Sequence, residues 1–255
     1  MKKYIELINE YCLSNEKIKG HFYGGSIGRD DSDKYSDVDA RIVVDQGCNL
    51  VQVREEIINL FDNILFIEEN NNTFMVLHLD NLMKIDVFFY RIESIMPSPW
   101  LKEIKIIKDL DNKLQRIKTI SNEKNVIPSQ QQIQYITHKY IAFLIETYKR
   151  RNRNEKFYLD QLMNTMTNIL CYLWYLEKGY QPNAVGDWSK YQGNRSKLDE
   201  IQLEKLGNIE REKSNSKIIS MINQEVFIVI EKISDKYNLN NNFIKLIDIV
   251  EENNQ

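Results

Sequence analysis

The chain has 255 residues, 42% hydrophobic and 28% charged, which is enough for one large or two small domains and is not the composition of a disordered chain. Its 34 basic and 37 acidic residues leave a net charge of −3, so nucleic acid is not expected to be held by bulk positive charge. No apolar run is long enough to span a membrane, the N-terminus lacks a signal-peptide stretch, and Cys12, Cys48 and Cys171 form no CxxC pair, so a cytoplasmic protein without a disulfide framework or zinc cage is expected.

Tyr4, Ile5, Leu7, Ile8 and Tyr11 have helical spacing and predict a helix over 3–13. His21, Phe22 and Tyr23 form a short predicted strand that runs into glycine. Val38–Val44 is rich in β-branched residues and reads as a strand, and 50–61 reads as a helix. Three more strands are predicted over 64–67, 74–79 and 84–90, with turns at Asn70-Asn71-Asn72 and Asp80-Asn81. The first part is therefore a sheet of about five strands covered by helices.

Pro97-Ser98-Pro99 punctuates the chain, and a charged helical stretch is predicted from there to about Asn122. Pro128 opens an all-helical half, in which Ile133, Ile136, Tyr140, Phe143, Leu144 and Ile145 make an apolar face. A second helix over 157–177 stops at Gly179, a polar linker covers 181–194, and the rest is helical to about Val250. The expected class is α+β, a mixed-sheet domain over 1–110 followed by an α-helical bundle over 111–255.

The stretch from Phe22 to Asp39 carries the chemistry. A strand ends in Gly24-Gly25-Ser26, where glycine lets the backbone approach a phosphate and successive amides can form an anion-binding nest. The Ser26 hydroxyl adds a donor. Ten residues separate Ser26 from Asp37, and Asp37 and Asp39 then flank Val38 at a strand start. Residues at i and i+2 of a strand share a face, so two carboxylates stand side by side and call for a cation between them. Hard carboxylate oxygens suit Mg²⁺. Asp86 lies in an otherwise apolar strand and joins the same cluster if that strand neighbours Val38–Val44. Three acids around a phosphate-binding turn suit metal-assisted nucleotidyl transfer.

Gly25-Ser26, the ten-residue spacing, Asp37-Val38-Asp39 and the later Asp86 resemble the signature of the nucleotidyltransferase superfamily with the polymerase-β-like fold. The resemblance covers about the first 95 residues. Length and the helical second half are most similar to the small bacterial nucleotidyltransferases that modify aminoglycosides or lincosamides. It implies a Mg²⁺ complex of ATP, or of another NTP, at Gly25, Ser26, Asp37 and Asp39. Asp86 would complete the metal site or act as general base. The acceptor would be a hydroxyl of an antibiotic, and pyrophosphate would be released. In the second half, Glu146 would be a substrate-binding acid or base and Lys149 a phosphate contact. Family members often pair through both domains, so a homodimer is implied.

Each residue also has a plainer reading. Glu146 and Lys149 sit at the spacing of an i,i+3 surface ion pair. The basic run Lys149 to Arg153, with Asn152 among it, suits a solvated helix end; a nucleic-acid patch is the sharper alternative. Trp188 and Lys190 would stack a base and reach a phosphate, or be a buried indole and a surface ammonium. His78 reads as a hydrogen-bonded structural histidine. Asp30, Asp31 and Asp33 make the loop before Asp37 acidic, with only Arg29 and Lys34 to offset it. Arg29 is placed to reach a triphosphate, and the acids would favour a cationic acceptor. The rival functions are nucleotidyl transfer to a protein or RNA, as in antitoxin-like modifiers, and a non-catalytic nucleotide-binding module.

Overall fold

The computed structural model describes residues 1–253, apart from the side chain of Ile244. It divides into two compact units, Met1–Lys124 and Asn125–Gln255. The architecture is α+β, with a mixed sheet in the first unit and helices in the second. No helix among the described residues is long and apolar enough to cross a membrane.

In chain order the first unit contains α1 (Lys2–Ser14), β1 (Ile18–Tyr23), the single turn α2 (Gly25–Gly28), β2 (Val38–Val44), α3 (Leu50–Ile58), β3 (Ile64–Asn70), β4 (Phe74–Leu79), β5 (Lys84–Arg91), β6 (Lys105–Asp109) and α4 (Lys113–Glu123). The six strands lie in the order β3-β4-β5-β2-β1-β6. The central pair, β2 and β5, is parallel, and every other pairing is antiparallel.

Alternation along the strands sends one set of side chains to each face. Val38, Ala40, Ile42 and Val44 of β2 and Ile85, Val87 and Phe89 of β5 pack with Tyr4 and Ile8 of α1 and Val53 and Ile57 of α3. On the other face, Phe22 and Val43 are covered by Leu101, Ile104, Leu114 and Ile117. Asp39, Arg41, Lys84, Asp86 and Phe88 share that second face by alternation, upstream of Val43 along the same strands.

The structure corrects the expected helix after Pro99. Residues 105–109 form the sixth strand, with Gly20 opposite Asp109 and Tyr23 opposite Lys105. The adjacent β-branched residues Ile106 and Ile107 suit a strand, and pairing with β1 overrides a charged, helix-like composition. The helix begins only at Lys113, where Asp109 caps it by accepting from the amides of Leu114 and Gln115 at 3.1 and 2.8 Å. Leu114 and Ile117 of α4 pack on the sheet, so the division falls after Lys124 instead of after residue 110.

The second unit contains α5 (Gln130–Asn152), α6 (Lys156–Glu177), α7 (Glu200–Arg211), α8 (Asn215–Tyr237) and α9 (Phe243–Glu252). Ser129, just after Pro128, caps α5 by accepting from the Gln132 amide at 3.1 Å. Gly179 follows the end of α6 at φ +78°, the left-handed stop that glycine favours. The core joins Tyr140 and Leu144 of α5, Met166 and Leu170 of α6 and Ile222 and Val226 of α8. Inside it, the Tyr140 hydroxyl donates to Asn223 Oδ1 at 2.6 Å.

Candidate active site

The site starts where β1 runs out. The Gly24 amide donates to the Asp39 carbonyl at 3.1 Å, which holds the turn against β2. Gly25 follows at φ +57°, and a Cβ there would lie 1.9 Å from Asp39 Oδ2. No other residue type fits: the turn needs the left-handed conformation and the carboxylate lies directly against the Cα. Ser26 is buried in the turn, whose leading amides have no intrahelical acceptor, as at any helix start.

The β2–β5 register sets Asp39 opposite Asp86. Directly opposed residues on neighbouring strands carry their side chains on one face about 5 Å apart. Asp37, the residue just before β2 and two before Asp39, completes the group. The structure thus brings Gly25, Asp39 and Asp86 together, with Asp37 at their edge.

A cation that the sequence analysis passed over lies among them. Lys84 Nζ donates to Asp86 Oδ2 at 2.8 Å and lies 4.0 Å from Asp37 Oδ2. Asp86 is well buried, with a side chain only 13% exposed, and its Oδ1 has no hydrogen-bond partner. Burial, then the neighbouring carboxylates, push Asp37 and Asp86 above the usual carboxylate range, against the opposing pull of Lys84. Burial works against the charge on Lys84. The hydrogen bond and field of Asp86, and the fields of Asp37 and Asp39, nonetheless hold its ammonium above the usual lysine range.

Arg41 is the second cation. Its Nη1 donates to the Asp39 carbonyl at 3.0 Å and lies 3.7 Å from Asp39 Oδ1, and its guanidinium sits 4.5 Å over the Phe88 ring. The signal for both cations was available. Lys84 is two residues before Asp86 and Arg41 two after Asp39, so alternation puts all four on one face.

These residues suit a divalent cation chemically. The donors are hard carboxylate oxygens, and Asp86 Oδ1 is buried with an unused lone pair. Among the described residues no three His, Cys, Asp or Glu side chains already stand as a metal cage. The cluster instead takes its compensating charge from Lys84.

The acidic loop before Asp37 is largely matched inside the molecule. Arg29 makes a forked contact with Asp31, at 3.0 Å from Nε and 3.1 Å from Nη2, so its guanidinium is engaged there. Lys105 of β6 pairs with Asp30 at 2.8 Å, an offsetting charge absent from the sequence reading. Asp33 Oδ1 accepts from the Tyr35 amide and the Ser36 hydroxyl, both at 2.9 Å, and shapes the loop.

Glu146 and Lys149 belong to the second unit and sit on α5. They form the i,i+3 ion pair at 2.8 Å, and Arg150 also binds Glu146 and reaches Glu155 at 2.7 Å. These hydrogen bonds, from Lys149 first and Arg150 next, draw the Glu146 carboxyl down to about 2. Trp188 packs against the helical core with its indole N–H buried and unpartnered. His78 pairs with Glu68 at 2.7 Å and stacks on Phe66.

No family model and no curated protein sequence matches this chain. Among solved structures, an aminoglycoside 6-adenyltransferase from Bacillus subtilis aligns over 99% of this chain and 98% of its own, with 9% identity and a TM-score of 0.47. A nucleotidyltransferase-like protein from Exiguobacterium sibiricum 255-15 aligns over 92% of this chain and 77% of its own, with 14% identity and a TM-score of 0.43. Functional interpretation therefore rests on the residues of the site.

Proposed function

We propose that the protein is a Mg²⁺-dependent nucleotidyltransferase that moves a nucleoside monophosphate, AMP in the first instance, from an NTP to an acceptor hydroxyl. The observation that carries this reading is the pairing of Asp39 with Asp86 in register, with Asp39 seated on the Gly25 turn. In the reaction the acceptor oxygen bonds to the α-phosphorus, the bond from that phosphorus to the bridging oxygen breaks, and pyrophosphate leaves. Asp37, Asp39 and Asp86 would hold the metal, which supplies charge neutralisation and orientation of the triphosphate.

The chain's own groups divide the remaining work. The turn at Gly25 and Ser26 presents backbone amides to a phosphate. Where Asp86 acts as general base instead of completing the metal site, its buried, unpartnered Oδ1 accepts the proton that the hydroxyl gives up. Arg29 would assist at the triphosphate only by leaving Asp31. The preferred acceptor is a small cationic antibiotic, an aminoglycoside or a lincosamide, since a carboxylate-rich cleft concentrates cations.

The test is pyrophosphate release from each NTP with Mg²⁺ against a panel of both drug classes, with Asp37→Asn as control. Release that depends on an acceptor and vanishes in the variant is expected. Full activity in Asp37→Asn would refute the mechanism. Labelling of a protein or RNA in lysate, without any drug, would replace the acceptor class.

A further inference from the structure

Lys84 is the feature of the site that the reaction above leaves without a task. Its ammonium lies among three carboxylates, nearest Asp86 and then Asp37, with Asp39 also contributing to its field. The oxygens it engages belong to the residues proposed to take the metal. His78, its partner across the β4–β5 pair, is engaged by Glu68, and Arg41 is held at Asp39 and Phe88. Of these basic groups, Lys84 is the one that makes ion pairs with both Asp86 and Asp37.

We propose that Lys84 is an internal competitor of the divalent cation, so that metal binds fully only when the ammonium leaves Asp86 and Asp37 for a new anionic partner. This rests on the nucleotidyltransferase reading and adds a loading order to it. A lysine is a point charge on a flexible four-carbon stem, so it can swing without disturbing the strand that carries it. The triphosphate arriving with the metal supplies the new partner. Charge is conserved throughout: the cation replaces the ammonium at the carboxylates, and the ammonium moves to a phosphate oxygen. Metal alone therefore binds weakly, and metal and nucleotide bind together. The site would then be discouraged from holding a bare cation and would select the metal–nucleotide complex.

The test uses Mn²⁺ alone as probe, with free Mn²⁺ followed by electron paramagnetic resonance, on the full chain. Lys84→Met is expected to bind bare Mn²⁺ about tenfold more tightly than the unaltered protein, because a positive charge within about 4 Å has been removed. Lys84→Arg, which keeps the charge, is expected to stay within about threefold of the unaltered protein. Adding a non-hydrolysable NTP is expected to tighten Mn²⁺ binding strongly in the unaltered protein and much less in Lys84→Met.

A thermal melt supplies a second readout, since Mn²⁺ should raise the Tm of Lys84→Met more than that of the unaltered protein. Lys84→Gln takes the place of the Met variant if the latter does not fold. Equal Mn²⁺ affinity in Lys84→Met and the unaltered protein, with binding still lost in Asp86→Asn, would overturn the competitor role and leave the metal reading intact. Mn²⁺ binding that is absent even from Lys84→Met with nucleotide present, or that is indifferent to Asp37, Asp39 and Asp86, would overturn both.

Discussion

Among the lysine–carboxylate contacts at 2.8 Å, one from each unit can be set side by side, Lys84 with Asp86 in the sheet and Lys149 with Glu146 on α5. Glu146 is drawn down to about 2 by hydrogen bonds from Lys149 and then Arg150. Asp86, with the same lysine distance, is pushed upward by burial, and Asp39 adds to the push. Distance to a counter-ion therefore does not decide whether a carboxylate is satisfied. Glu146 has two cations at a helix surface, whereas Asp86 shares one with Asp37 inside a protein face. The sheet cluster has spare demand for positive charge, and the helix pair has none.

The largest effect should come from removing charge in the sheet cluster. Asp39→Asn is expected to lower kcat/KM for pyrophosphate release about a thousandfold, the several kcal/mol typical of a lost metal contact. Its Tm should be at or above that of the unaltered protein, because one of three crowded like charges is gone. Gly25→Ala should lose both quantities. The left-handed φ of +57° costs about 1–2 kcal/mol for a residue with a Cβ, and that Cβ displaces the Asp39 carboxylate. Tm should fall by about 2–8 °C and activity about a hundredfold. A Gly25→Ala variant that melts and turns over normally would show that Asp39 does not depend on the turn.

Legibility in the sequence followed the range of the forces involved. The acids were visible because strand alternation is local: Asp37 and Asp39 share a face wherever β2 lies. Their meeting with Asp86 could be stated only as a condition or from the family resemblance, since it needs β5 to lie parallel beside β2, a tertiary choice made beyond the intervening hairpin. Lys84 is legible only from the period of β5, which sets it on the face of Asp86, and not from the single acid in an apolar strand. β6 was missed because its pairing with β1 is long-range, while the charges of Lys105, Lys108 and Asp109 looked helical at short range. The helical half was easier to read, because Ser129 and Gly179 mark ends through local backbone chemistry. The Glu146–Lys149 pair was likewise written in helical spacing.

His21 extends the comparison to a buried group with no charged partner. It sits on β1, with Nδ1 3.0 Å from the Arg41 carbonyl and Nε2 3.1 Å from Asn9 Oδ1. Burial draws its titration down from 6.5 to about 4, against a smaller opposing effect of the Arg41 carbonyl. A depressed histidine is neutral when folded and takes up a proton more readily when unfolded. Its contribution is therefore fully present above pH 6.5 and is lost as pH falls towards 4, by about 3 kcal/mol in all. Urea unfolding between pH 7 and pH 4 should show this slope, and His21→Gln should flatten it. An unchanged slope in the variant would assign the acid sensitivity to other groups.

The smallest effect is expected from Glu146→Gln. The pair is a helix-surface contact, and such pairs contribute little, so Tm should move by less than about 2 °C. Glu146 remains ionised across the working pH range, since its carboxyl is drawn down to about 2, and an acid held so firmly charged is a poor proton acceptor near neutrality. If it contributes to a cationic acceptor's binding, KM for that acceptor rises while kcat stays within about threefold. Steady-state kinetics with several acceptors separate the two. A thousandfold loss in kcat at unchanged KM would reverse the comparison drawn between the two carboxylates. Glu146, and not Asp86, would then be the carboxylate on which turnover depends.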